Sequence, residues 1–236
     1  MENLKAIRPP DLLKDAPEKE KQRFLALGTK KLVAKSEHVF SFGNRDHNIY
    51  LLCEGMVKIY QTSPLGREVI MWFCFPGELF GLRLLAQSEG SAVSAQASED
   101  SEVLVVPGDS FKKFLFNHAE FAFLVLQAAY VRLQILGDMM VNLTTDDVRS
   151  RLAKFILRLG ASQGVRVGSE IHLKIQLTHK DIADTVGTTR QTVTSILNEY
   201  KQQGILSIHN HFIHIESEEL LGNVIQGKKA NNNKIP

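Results

Sequence analysis

The sequence predicts an α+β protein, in which an N-terminal β-roll is followed by a long helix and a C-terminal winged helix-turn-helix. Three observations predict this fold. Glycines recur 11 or 12 residues apart between apolar runs in the first half, Phe111–Leu143 is free of proline, and Gly187 separates two short amphipathic segments. Because 236 residues exceed a typical domain of roughly 100–150 residues, we expect two domains.

The first part of the chain has the pattern of short antiparallel strands. Residues 1–31 are charged, with a short helix expected from Pro17 to Leu27, and residues 32–110 form the expected β-roll. The apolar runs in the roll are rich in Val, Ile, Phe and Tyr, which favour strands. The glycines that separate these runs are Gly43, Gly55, Gly66 and Gly77.

Residues 111–143 are predicted to form a short helix and then a long one. Apolar residues cover nearly the whole circumference of the long helix, so it needs a packing partner besides its own β-roll. We expect this partner to be the same helix of a second subunit, and burial within one larger domain is the alternative. The predicted interface residues are Phe121, Val125, Ala128, Arg132, Ile135 and Met139.

A polar break at Asn142–Asp147 is the expected hinge between this helix and a second domain at residues 144–222. Two acidic residues stand at the start of the following helix, where the helix dipole favours negative charge. That helix is amphipathic to about Ser162, and an alternating strand follows it. Residues 223–236 are expected to be a disordered tail.

The segment Leu177–Tyr200 carries the most specific signal in the chain. Thr178 and Asp181 have the spacing of a capping box, which opens a two-turn helix that Gly187 ends. A threonine then caps a second amphipathic helix. Two short helices about a glycine turn make a helix-turn-helix, whose second helix enters the major groove of DNA.

The exposed side of this second helix suits the reading of base pairs. Arg190 can donate two hydrogen bonds to a guanine edge, Gln191 can pair with an adenine, and hydroxyl groups can serve bases or phosphates. An arginine in the first turn of a helix is electrostatically unfavourable, which argues for a functional reason. The predicted DNA-contacting residues are Thr178, His179, Lys180, Thr188, Thr189, Arg190, Gln191, Thr192, Thr194 and Ser195.

A β-hairpin over Ile205–Ile215 is expected to form a wing beside this motif. Its histidines at positions 209, 211 and 214 have a spacing close to that of metal ligands. Contact between the wing and DNA phosphate explains two of them more simply. No metal site is therefore predicted.

The composition predicts a cytoplasmic protein. No uncharged apolar run approaches ~20 residues and Met1–Lys5 lacks the apolar core of a secretion signal, so no membrane partner is expected. Cys53 and Cys74 are too few for a disulfide framework or a four-cysteine iron–sulfur site. The net charge is only +2, but the part from Asp146 onward carries 12 basic against 9 acidic residues, as a nucleic-acid-binding domain would.

The motif Leu-Thr-x-x-x-Ile-Ala-x-x-Val-Gly-x-x-Arg-x-Thr-Val runs from Leu177 to Val193. Together with the domain order, it closely resembles the CRP/FNR superfamily of bacterial regulators, and particularly the cyanobacterial nitrogen-control branch. The resemblance spans about Leu32 to Leu221. It implies a cyclic-nucleotide-binding-like jelly roll, a homodimer on a two-fold symmetric operator, and RNA polymerase as a partner. Ser195 departs from the arginine that cyclic-AMP regulators usually carry there.

The resemblance also implies an effector pocket in the β-roll. Cyclic-AMP binders of the family carry a ribose-binding acid where Leu82 stands and a phosphate-binding arginine where Gly90 stands. Since a buried phosphate without a cation is costly, cyclic AMP is not expected to bind. The expected pocket residues are Gly77, Glu78, Leu79, Phe80, Gly81, Leu82, Ser91 and Ala92. No cofactor is predicted, and the alternative is haem held by His38, His47 or His118.

The sequence thus predicts a dimeric, sequence-specific transcription regulator and no enzyme. An effector other than a cyclic nucleotide, or a redox or gas signal, would reorient the two recognition helices through the hinge. Two alternatives stay open: a constitutive regulator whose roll is filled by its own side chains, and a cupin-like small-molecule-binding module. The expected partners are double-stranded DNA, a second copy of the chain, RNA polymerase and an unidentified small molecule.

Overall fold

The computed structural model describes residues 8–83 and 90–227. The described chain divides into two compact units, one formed by the described residues between 8 and 136 and one by those from 137 onward. The division falls inside the long helix, N-terminal to the domain boundary expected between residues 143 and 144. Residues 228–236 of the expected tail lie outside the described part of the chain.

The first unit is a β-roll of two four-stranded antiparallel sheets, as predicted. The strands run in the orders β1-β8-β3-β6 and β2-β7-β4-β5. The first strand begins at Thr29, three residues before the expected start of the roll. The strands are β1 (Thr29–Val33), β2 (His38–Phe40), β3 (Ile49–Glu54), β4 (Val57–Thr62), β5 (Glu68–Cys74), β6 (Leu79–Phe80), β7 (Ser94–Ala97) and β8 (Ser101–Val106).

A cluster of aromatic rings joins three helices of this unit to one another in the core they share with the roll. The helices of the unit are α1 (Leu12–Asp15), α2 (Glu18–Leu25), α3 (Gly108–Asn117) and the first part of α4 (Ala119–Thr145). The ring of Phe24 in α2 lies 6.0 Å from Phe111, 5.7 Å from Phe114 and 4.7 Å from Phe121, measured between centroids. Aromatic pairs at these distances add to the stability gained from burial alone.

Helix α4 carries two apolar stripes, and the structure corrects the interface predicted on it. Phe121 and Val125 are buried in the core of their own unit, so they are not available to a second subunit. The residues exposed on the other side of the helix have the same heptad spacing. This exposed stripe consists of Phe123, Leu126, Tyr130, Leu133 and Met140, and Leu133 at its edge also lines a cavity of the roll.

Within the described residues, α4 is also the one helix long and apolar enough, by length and composition, to cross a membrane. Its most apolar window has a mean hydropathy of 1.4, and 11 % of that window is buried. Core helices of other proteins pass the same test, so this observation alone is weak. It does show that much of α4 is apolar and uncovered.

The second unit contains a winged helix-turn-helix with one four-stranded sheet in the order β11-β12-β10-β9. The predicted wing hairpin is present, and its turn residues Asn210 and His211 have φ values of 49° and 70°, as a type I′ turn requires. The last helix extends to Ile225, so residues 223–225 of the expected disordered tail are helical. The elements are α5 (Val148–Gln163), β9 (Gly164–Val167), β10 (Glu170–Gln176), α6 (His179–Val186), α7 (Arg190–Gln202), β11 (Leu206–His209), β12 (Phe212–Ile215) and α8 (Glu218–Ile225).

The break between α4 and α5 lies where the sequence predicts a hinge, and side chains brace it. The carboxylate of Asp147 caps α5 by accepting a hydrogen bond of 2.7 Å from the Ser150 amide. Lys154 reaches back from α5 and lies 2.7 Å from both the Asn142 amide oxygen and the Asp146 carboxylate. These bonds fix the end of α4 to the start of α5.

Candidate nucleic-acid interface and effector cavity

Local hydrogen bonds build the helix-turn-helix as the sequence predicts. The Thr178 hydroxyl accepts from the Asp181 amide at 3.0 Å, and the Asp181 carboxylate accepts from the Thr178 amide at 3.3 Å, which completes the capping box. Gly187 ends α6 with a φ of 77°, in the left-handed region that favours glycine. The Thr189 hydroxyl caps α7 by accepting from the Thr192 amide at 3.1 Å.

The predicted DNA-contacting residues therefore separate into two groups. The hydroxyls of Thr178, Thr189 and Thr192 are engaged in capping bonds, so their main role is to shape the two helices. The Thr194 hydroxyl donates to the Arg190 carbonyl at 2.9 Å, and Thr188 is half-buried. Outside these capping bonds, the predicted residues that are exposed to solvent are Lys180, Arg190, Gln191 and Ser195.

Arg190 supplies the uncommitted positive charge of this surface. Lys180 is paired with Asp184 at 2.7 Å. Burial and the neighbouring Arg190 charge lower the pKa of His179, whose Nδ1 lies 2.8 Å from the Thr194 hydroxyl oxygen. In the described part of the chain, no hydrogen bond or ion pair engages the Arg190 guanidinium. All five of its N–H donors are therefore available to a ligand.

The wing and the two helices line a groove with a volume of about 560 Å³. Arg190 and His179 line one side of it, and His211 of the wing turn lines the other. Helix and wing therefore face a common groove, as they do when one element reads bases and the other lies along the phosphate backbone.

The β-roll unit contains a second cavity of about 440 Å³, with mainly apolar walls. Seven of the eight predicted pocket residues line it: Glu78, Leu79, Phe80, Gly81, Leu82, Ser91 and Ala92. Gly77 does not. Its amide donates to the Leu52 carbonyl and its carbonyl accepts from the Leu12 amide, both at 2.8 Å, so it serves the turn before β6.

A buried ion pair joins α4 to the wall of this cavity. The guanidinium of Arg132 contacts the Glu78 carboxylate and lies 5.2 Å from the Trp72 ring. The two side chains are only 15 % and 9 % exposed. Burial raises the pKa of Glu78, and the charge of Arg132 opposes that shift. Arg132 and Ala128, predicted for a subunit interface, thus line the cavity of their own chain.

The positions at which nucleotide-binding relatives use charge are occupied differently. Leu82, at the position of the ribose-binding acid, lines the cavity. At Gly90, the position of the phosphate-binding arginine, an added Cβ would lie 3.1 Å from the Gly43 carbonyl oxygen, which is closer than most real Cβ contacts. None of the three histidines considered for haem is among the residues that line the cavity. His38 is 2.8 Å from the Tyr60 hydroxyl and His118 is 2.9 Å from the Phe114 carbonyl.

A β-roll followed by a long helix and a winged helix-turn-helix defines a class of DNA-binding regulators. Residues 30–118 match the cyclic nucleotide-binding domain family, and residues 150–224 match the Crp-like helix-turn-helix domain family. Together these matches cover more than half of the chain. The chain belongs to the CRP/FNR superfamily, whose members regulate transcription and are not enzymes.

Characterised relatives agree with this placement. The chain is 27 % identical over 206 residues to an anaerobic regulatory protein of Haemophilus influenzae, covering 87 % of this chain and 79 % of that protein. It is 28 % identical over 176 residues to a global nitrogen regulator of Synechocystis sp., covering 74 % and 78 %.

Solved structures share the fold over most of the chain. FixK2 from Bradyrhizobium japonicum has a TM-score of 0.73 at 25 % identity, covering 83 % of this chain and 96 % of that one. A CooA mutant from Carboxydothermus hydrogenoformans has a TM-score of 0.79 at 23 % identity, covering 93 % and 98 %. The second likeness concerns the fold alone.

The buried ion pair makes a prediction for stability. Replacing Arg132 with Met leaves Glu78 buried without its partner, which we expect to lower the free energy of unfolding by about 3–5 kcal/mol. Without the cation, burial raises the Glu78 pKa further. A carboxyl group whose pKa is raised in the folded state contributes stability below its unfolded-state pKa and loses that contribution as pH rises. The difference in the free energy of unfolding between wild type and variant should therefore grow from pH 5 to pH 8.

Urea unfolding of the wild type and the variant at several pH values measures this deficit. Arg45→Met, which removes an exposed arginine from the same unit, is the matched control and should change stability little at any pH. A deficit for Arg132→Met that is constant between pH 5 and pH 8 would contradict the account.

Proposed function

We propose that the protein is a homodimeric transcription regulator of the cytoplasm, which reads a two-fold symmetric DNA site through α7 under the control of a small molecule. One observation carries the proposal most directly: Arg190 stands exposed at the start of α7, and no side chain of the described residues pairs with it. Gln191 and Ser195 lie on the same exposed side. These residue types match the hydrogen-bonding edges of base pairs in the major groove.

The exposed stripe of α4 supports a second copy of the chain as the partner. Leu126 and Leu133 are 63 % and 67 % exposed, and Phe123 and Tyr130 each precede them by three residues. An alternating spacing of three and four residues is the signature of a coiled coil. A large apolar side chain contributes about 1.5–3 kcal/mol when fully buried, so covering this stripe is strongly favourable.

A membrane is a poorer partner for α4 than a second copy. The opposite side of the helix is anchored by Phe121 and Val125 in the core of the roll and by the Arg132–Glu78 pair. A helix fixed to a folded domain along one side cannot be surrounded by lipid. A matching helix covers only the exposed stripe, which is what the geometry requires.

The cavity in the roll favours an apolar or uncharged effector. Its volume of about 440 Å³ lies within the range of roughly 300–1,000 Å³ found for small-molecule sites. Arg132 is neutralised by Glu78, so the cavity has little attraction for the phosphate of a cyclic nucleotide. A cavity of this volume also argues against the alternative of a constitutive regulator, in which the side chains of the roll fill its interior completely.

Action on transcription would follow from contact with RNA polymerase, the partner implied by the family. The effector would need to favour one arrangement of the DNA-binding units by only a few kcal/mol to act as a switch.

Arg190→Ala tests the reading of DNA. We expect the variant to bind a wild-type-selected duplex more weakly by about 1–3 kcal/mol, roughly 5–150-fold, and to lose its preference at one base pair of each half-site. Fluorescence anisotropy with duplexes carrying single base-pair changes, at fixed salt, measures both effects. Arg166→Ala, at an exposed arginine of β9, is the control. Equal base preference in Arg190→Ala and wild type would overturn this assignment.

Leu126→Glu tests the dimer. A charge in the middle of the exposed stripe should convert a dimer into a monomer at micromolar concentration, because an unpaired buried charge is costly. Sedimentation equilibrium gives the molecular mass directly. The control Leu65→Glu changes a leucine that is 96 % exposed in a turn of the roll and should leave the dimer intact. A Leu126→Glu variant that remains dimeric would exclude α4 as the interface.

The effector cavity is tested with the neutral apolar dye N-phenyl-1-naphthylamine. We expect saturable fluorescence enhancement in the wild type, loss of binding in Ala129→Phe, which fills the cavity, and normal binding in Gln127→Phe on the same helix. Cyclic AMP should not displace the dye. Displacement by cyclic AMP, or full binding by Ala129→Phe, would contradict the proposed class of effector.

A further inference from the structure

The outer face of the four-stranded sheet that contains the wing brings three histidines and a glutamate together from three strands, β10, β11 and β12. His172 of β10 and His214 of β12 are direct cross-strand partners, and their rings stack with centroids 3.8 Å apart and planes 11° apart. The His209 ring of β11 lies 5.0 Å from that of His214. The sequence alone indicates only the close spacing of the wing histidines, because His172 is 42 residues away from His214.

Glu170 completes this cluster. One of its carboxylate oxygens lies 2.7 Å from Nε2 of His172. A ligand atom from each of Glu170, His172 and His214 lies within 4.8 Å of the others, and all three residues are half-buried. Ligands about 2.1 Å from a tetrahedral metal ion are about 3.4 Å apart, so modest side-chain rotations bring the three onto one ion.

We propose that this cluster binds one divalent transition-metal ion per chain, with Glu170, His172 and His214 as ligands and His209 placed to supply a fourth. Two imidazoles and one carboxylate are a donor set for ions such as Zn²⁺, whereas Mg²⁺ and Ca²⁺ prefer oxygen ligands alone. The bound ion links β10 directly to the β12 strand of the wing. This site is separate from the cavity in the roll and does not depend on an effector there.

Alternation along the strands explains why these side chains are available. In β10 the apolar Ile171 and Leu173 point into the core, which turns Glu170 and His172 to the outer face. The same alternation buries Ile213 and Ile215 in β12 and turns His214 outward. The cluster therefore makes no contribution to the apolar core, and its side chains can be changed without opening a cavity.

The test uses the full chain without an affinity tag, stripped of metal with a chelator. Isothermal titration with Zn²⁺ should show one ion per chain with a dissociation constant in the micromolar range or below. Titration with Co²⁺ should produce visible absorption bands of a low-coordinate site. We expect His172→Asn and His214→Asn each to weaken binding at least tenfold. His211→Asn should bind as the wild type does, because His211 is exposed in the turn and asparagine tolerates its positive φ.

The absence of saturable binding, or equal affinity in the wild type, His172→Asn and His214→Asn, would overturn the proposal. Should either variant fail to fold, Cu²⁺-induced broadening of histidine ring signals in the NMR spectrum of the wild type decides the question. Selective broadening of His172 and His214 supports the site, and broadening confined to His179 or His211 rejects it. Since metal binding is measured without DNA, either result leaves the test of Arg190 unaffected.

Discussion

Helix α4 is apolar on two sides, and the described residues of the chain cover only one of them. The inner stripe is held by Phe121 and Val125 in the core and by Arg132 against Glu78. The exposed stripe, with its heptad spacing, is left for another surface. In the proposed dimer this one constraint fixes a two-fold axis beside α4, and a two-fold axis makes the DNA site symmetric. The same helix lines the cavity of the roll, so in the proposed mechanism a molecule bound there acts directly on α4.

Most of the fold follows from patterns that the sequence displays openly. The strands of the roll lie between regularly spaced glycines, and the capping box at Thr178 and the glycine at position 187 mark the helix-turn-helix without ambiguity. The interface on α4 is different. Its inner and exposed stripes have the same heptad period, so periodicity cannot tell which one faces the roll. That choice depends on long-range packing, such as the contact of Phe121 with Phe24.

The sites show the same division between local and long-range information. Arg190 is recognisable from its place in a local motif, whereas the partner of Glu78 is 54 residues away in α4. The histidine cluster depends on strand register, which pairs His172 with His214. Register is set by the whole sheet and not by either strand. The threonines at 178 and 189 illustrate the opposite case, because a residue suited to DNA contact is equally suited to capping a helix.

Selection of bound sequences from a pool of random duplex DNA by the ligand-free protein, at fixed salt, tests the central claim most directly. The quantity to measure is the distance between repeated half-sites. A symmetric dimer reading DNA through α7 predicts an inverted repeat whose half-site centres lie one helical turn apart, about 10–10.5 base pairs, or a multiple of that distance. Enrichment of a single unrepeated half-site, or of repeats with no fixed separation, would contradict the account.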